Sequence, residues 1–165
     1  MRPLSPTLAL LLVLALFLWA GMICGISFLE APLKFTAPGI TVTLGVGIGR
    51  IVFHALNKVE LALSVVALLC AARLGVASRI WTTLLVAVLI LAAQTLWLLP
   101  ALDVRAVALQ AGSPNPPNSQ HVTYVVLEAG KLLCLLTTGM LAFRWTLRQT
   151  RRQESHRYAR RHQAA

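Results

Sequence analysis

The chain has 165 residues, 58% of them hydrophobic and 12% charged, and its mean hydropathy of +0.75 excludes an ordinary water-soluble domain of this length. Fifteen lysines and arginines against five acids give a formal net charge of +10. The bases gather beside the apolar segments and in the C-terminal stretch, without base-stacking aromatics or a nucleic-acid-binding module, so nucleic acid is excluded as the partner.

The apolar residues fall in four runs, residues 8–29, 51–72, 80–99 and 124–143. Each has about the 20 residues that cross ~30 Å of hydrocarbon. They predict an all-α fold, a four-helix transmembrane bundle over residues 1–147, followed by a basic tail over 148–165.

The first run follows Met1 and Arg2 and exceeds the roughly 7–15 apolar residues of a signal-peptide core. No Ala-x-Ala site lies nearby, so it reads as a retained helix. Gly21 and Gly25 are spaced G-x-x-x-G, as are Gly45 and Gly49 before the second run. That spacing predicts helix packing through close backbone approach, with the first two helices crossing there. "GVGIG" (45–49) lacks the G-x-G-x-x-G spacing and a βαβ setting, so it is not a nucleotide loop. Residues 30–50, rich in proline and glycine, predict a turn-rich connection at the interface.

The second run opens with "GRIVFHALNKVE" (49–60). At about 100° per residue, Arg50, His54, Asn57 and Ser64 form one stripe, with Lys58 and Glu60 on its flanks. "RLGVASR" (73–79) makes a short basic connection to the third run, which carries Gln94. Residues 101–123 open with the pattern of a short helix and break at "GSPNPPNS" (112–119). The fourth run carries Glu128 and Lys131. The tail has no apolar face and predicts contact with anionic lipid headgroups. Cys24, Cys70 and Cys134 lack metal-site spacing and read as small packing residues.

Arg2, Arg73, Arg79 and seven arginines from Arg144 to Arg161 lie on one side of the predicted helices. By the positive-inside rule that side is cytoplasmic, with both termini, in the inner (plasma) membrane. The other half holds Lys34, Arg50, Lys58, Arg105 and Lys131 against Glu30, Glu60, Asp103 and Glu128, a nearly balanced set. Counting depth from Arg73 at ~1.5 Å per residue places Glu60 and Lys131 about 10 Å below the outer boundary. The predicted pairs are Lys58 with Glu128, Glu60 with Lys131, and Glu128 with Lys131 along one helix.

Ionisable groups inside a membrane are costly and mark candidate sites. The candidate polar cluster is Glu30, Arg50, His54, Asn57, Lys58, Glu60, Gln94, Glu128 and Lys131, joined in the outer half by His121 and Tyr124. Such a set either fixes helix register through ion pairs or lines a cavity that binds or moves a small ion or solute. An accessory protein of a membrane complex and a membrane-embedded enzyme are the alternatives. No H-E-x-x-H, G-x-S-x-G or haem-type histidine pair favours an enzyme or a cofactor. Without an internal repeat, four helices suggest a homo-oligomer or a membrane-protein partner beside the lipid bilayer.

"WAG" (19–21), "EAPLKF" (30–35), "IGRIVFHALNKVE" (48–60), "LWLLPALDVR" (96–105) and "HVTYVVLEAGK" (121–131) occur in that order. Together they resemble a family of small four-helix bacterial membrane proteins of unknown function, distantly similar to transmembrane protein 205. The resemblance spans Trp19 to Lys131. It implies the four-helix topology and brings no catalytic residues with it.

Overall fold

A computed structural model describes residues 5–112 and 119–163, and these residues form four long helices and no strand. Helix α1 covers Pro6–Thr36, α2 Val42–Leu74, α3 Ser78–Gln110 and α4 Ser119–Gln163. Each contains a stretch long and apolar enough to cross a membrane.

The helices run well past the apolar runs that predicted them. At 33 residues, α2 and α3 are about 50 Å long, against ~30 Å of hydrocarbon. The connection expected over 30–50 shrinks to residues 37–41, where Gly39 adopts φ 81°. Thr41 then caps α2, its hydroxyl accepting the Leu44 N–H at 3.2 Å, and no proline interrupts the chain from Val42 to Leu74. Residues 101–110, expected in the second outer connection, continue α3. The remainder of the "GSPNPPNS" segment, beyond Gly112 and before Ser119, lies outside the described residues. At the other end α4 passes unbroken through position 147, where the tail was expected to begin.

Two interruptions of α geometry have one cause. Cys24–Glu30 in α1 and Gln94–Leu98 in α3 are π-helical. Pro32 and Pro100 follow them, and a proline supplies no N–H to the carbonyl four residues back while its ring crowds it. Those carbonyls belong to Phe28 and Leu96, inside the two π segments, where the chain takes up the mismatch with wider turns. The α2–α3 turn is where "RLGVASR" predicted it. Gly75 takes the left-handed conformation (φ 60°, ψ 47°), and its N–H and that of Val76 both return to the Ala71 carbonyl at 3.1 and 3.4 Å.

Helix α1 packs against α2 and α4, and α3 against α4 and α2, so the four form a ring. The end near Gly75 is filled by an apolar core containing Leu12, Leu16, Ile23, Ala67, Leu84, Leu91 and Leu135. Leu14 and Leu18 of α1, Val65 and Leu69 of α2, Leu85 and Leu89 of α3, and Leu133 of α4 face outward. An apolar exterior around a packed interior is the arrangement a bilayer solvates. Cys70 lies in the core, but Cys24 is exposed on the outer face and does not pack there as expected.

Candidate functional site

Above this core, toward the end of the bundle away from Gly75, the interior becomes polar. Lys131 is completely buried, with 0% of its surface exposed, as is Glu128, and Glu60 is 1% exposed. The Lys131 ammonium lies 2.6 Å from Glu60 Oε1 and 2.9 Å from Glu128 Oε2, and donates to Gln94 Oε1 at 2.6 Å. Glu128 Oε1 accepts from Ser27 Oγ at 2.8 Å and its Oε2 from Gln94 Nε2 at 2.7 Å. Glu60 Oε1 also accepts the Trp19 indole N–H at 2.8 Å. All four helices therefore contribute to one layer, in which burial is offset by near-complete hydrogen bonding.

The π segments help to aim this layer. Ser27 comes from the one in α1, and Gln94 and Thr95 from the one in α3. Thr95 Oγ1 accepts from the buried Asn57 Nδ2 at 2.8 Å.

Over the charge layer lies a cavity of about 500 Å³. Its walls are mainly apolar, with Phe28 and Phe35 from α1, Phe53 from α2, Leu99, Leu102 and Leu109 from α3, and Val125 from α4. Lys34, Arg50, Arg105, His54 and His121 are set into those walls, with Asp103, Tyr124 and Glu128. Asp103 accepts from Arg50 Nε at 2.9 Å and lies 2.9 Å from His54 Nε2. Lys34 is held more loosely, 3.4 Å from Glu30. Tyr124 is buried with its ring edge against Phe53, centroids 5.4 Å apart. Glu128 belongs to both levels, one of the cavity's lining residues and an acceptor in the charge layer.

The predicted cluster thus separates into two levels. Arg50, His54 and Glu128 reach the cavity; Asn57, Glu60, Gln94 and Lys131 are buried outside its lining; and Glu30 acts through Lys34. The predicted Glu60–Lys131 and Glu128–Lys131 pairs are formed. The predicted Lys58–Glu128 pair is not, because Lys58 is exposed. Two residues of α-helix turn through about 200°, so with Glu60 facing the interior Lys58 must point almost directly away. Its long stem instead permits the ammonium to reach upward along the helix surface.

The glycine expectation is also corrected. A side-chain carbon at Gly21 or Gly25 would meet nothing within 4 Å, so no partner helix approaches there. Gly45 and Gly49 are buried, but under the Phe35 ring and the Lys34 ammonium instead of the backbone of another helix. They make room for cavity walls.

Trp19, Ser27, Thr95 and Asp103 belong to the site and were absent from the predicted cluster. For two of them a signal existed. Leu12, Leu16, Trp19, Ile23 and Ser27 follow each other at three- and four-residue steps, the spacing of one helix face, and a buried indole N–H requires an acceptor.

Fold and site together define a four-helix bundle whose helices are long and apolar enough to cross a membrane, carrying an apolar cavity over a buried charge layer. Comparison with family models, curated proteins and solved structures finds no match for the chain.

Proposed function

We propose that this is a multi-pass protein of the inner (plasma) membrane, with cytoplasmic termini, whose outer cavity binds a small amphipathic solute carrying an anionic headgroup. The observation that carries the reading is the cavity's composition, apolar walls holding three permanent cations, Lys34, Arg50 and Arg105. The acids of the lining are two, Asp103, which holds Arg50, and Glu128, which is already engaged by Lys131, while Lys34 has Glu30 at 3.4 Å from outside the lining. A pocket of this kind takes an apolar body by burial and orients it through a few charged groups. From Arg50, Asp103 takes the Nε–H, and the terminal nitrogens of the guanidinium fork are the donors suited to a carboxylate or phosphate.

The experiment compares decanoate, decanol and decyltrimethylammonium as ligands of the purified protein in nanodiscs, read by the shift in melting temperature. Decanoate raises the melting temperature most, and Arg50→Gln weakens its binding by about tenfold, or ~1.4 kcal/mol. Equal shifts for the three headgroups, or an unchanged decanoate shift in Arg50→Gln, overturn the reading.

A further inference from the structure

The charge layer beneath the cavity carries an arithmetic imbalance. It contains two carboxyl groups and one ammonium, and every other group in it, Trp19, Ser27, Gln94 and Asn57, is neutral. With both carboxyls ionised, a fully buried layer would hold a net negative charge, which is costly inside a membrane. The hydrogen bonds indicate which carboxyl is the odd one. Lys131 directs its ammonium at three acceptors, on Glu60, Glu128 and Gln94, at 2.6–2.9 Å; that is the full complement of a charged lysine. Glu128 receives three donors spread over both oxygens, from Ser27, Gln94 and Lys131, the surroundings of a carboxylate. Glu60 receives two, both on Oε1, from Trp19 and Lys131. Its Oε2 is buried and has no hydrogen-bond partner among the described residues.

We propose that Glu60 is a proton-binding site: it carries a proton on Oε2 at neutral pH, as the neutral member of a set in which Glu128 and Lys131 neutralise each other. The site does not depend on what the cavity binds. The other charged groups lie above it, each committed elsewhere or set in the cavity wall: Lys34 with Glu30 from α1, Arg50 and His54 with Asp103 from α2 and α3, Arg105 from α3, and His121 and Tyr124 from α4. Lys58, on the same helix as Glu60, faces away. A removable proton at this depth, next to a carboxylate that forms part of the cavity wall, places proton transfer within reach of the cavity through Glu128.

The chain has only five acidic side chains, so infrared spectroscopy can assign a protonated one directly. The measurement is the carbonyl stretch of protonated carboxyl groups, with its shift in D2O. It uses the full-length protein in a detergent free of ester carbonyls, at about pH 8, well above the ~4.3 of an ordinary glutamate. The wild-type protein shows one such band, and Glu60→Gln loses it. Glu128→Gln loses it too, because Glu60 then becomes the counterion of Lys131 and ionises. The band is unchanged in Glu30→Gln and Asp103→Asn. No band in the wild-type protein, a band that survives Glu60→Gln, or one that survives Glu128→Gln overturns the proposal. The wild-type measurement stands even if a variant fails to fold, and none of these readouts depends on ligand binding.

Discussion

Lys131 has no exposed surface and two acidic partners, whereas Lys58, on α2, is exposed and has no ion pair among the described residues. The same residue type therefore predicts opposite outcomes at the two positions. Lys131→Met leaves the Glu128 carboxylate buried without a counterion, a loss of ~3–5 kcal/mol. Lys58→Met removes a charge from the surface and stays within about 0.5 kcal/mol of the parent. Melting curves in one detergent check this, and similar losses for the two variants contradict the assigned faces of α2 and α4. Asp103 gives a sharper residue-level test of the cavity. It is the acid that draws on Arg50 and His54, so Asp103→Asn removes a negative wall charge and releases both groups toward a ligand. Decanoate binding tightens about tenfold, ~1.4 kcal/mol, the reverse of Arg50→Gln, with decanol unaffected.

At the scale of elements, the glycines divide by what lies over them. Gly21 has open space where a side chain would go, so Gly21→Ala trades a poor helix former for the best and raises stability by up to about 1 kcal/mol. Gly49→Ala places a methyl group at 2.9 Å from the Lys34 ammonium, moves that cation out of the cavity wall and weakens decanoate binding. The two variants are separated by measuring melting temperature and affinity on each. Neither role was legible in the G-x-x-x-G spacing, because spacing states that backbones can approach and not what fills the gap. What was legible followed from composition and period: the four helices, the Gly75 turn, and the pairing of Glu60 and Glu128 with Lys131, since depth along a helix is a matter of counting. The helix ends were not, because apolar length measures hydrocarbon, while α2 continues beyond it from its Thr41 cap with no proline in the way and α3 continues past Pro100 by way of the π turns before it. The offset in side-chain direction made by the π segments was hidden for a related reason. Pro32 lies in the stretch expected to be a turn-rich connection and Pro100 just past the third apolar run, but in a packed helix a proline is accommodated by widening the preceding turns. That widening accompanies the delivery of Ser27, Gln94 and Thr95 to the charge layer.

Across the whole molecule, two distributions run along the bundle axis in opposite senses. The Gly75 end has an apolar core and a surplus of bases, with Arg73, Arg79, Arg144, Arg148, Arg151 and Arg152 exposed. The cavity end has a polar interior and charges that are largely paired. The positive-inside rule counts bases and gives acids little weight, and ten of the fifteen lysines and arginines belong by sequence to the Gly75 side against five on the other. The proposed orientation, with the Gly75 end in the cytoplasm and the cavity facing out, follows from that rule. A green fluorescent protein fused after Ala165 fluoresces, because it folds in the cytoplasm, and alkaline phosphatase inserted between Ser113 and Pro114 is active, because it matures on the far side. Replacing Arg73, Arg79, Arg144 and Arg148 together with glutamine removes much of the bias and produces a mixed population in which both reporters fall. A silent fluorescent fusion combined with an inactive phosphatase insertion in the parent protein would reverse the orientation, and the cavity would then draw its ligand from the cytoplasmic side.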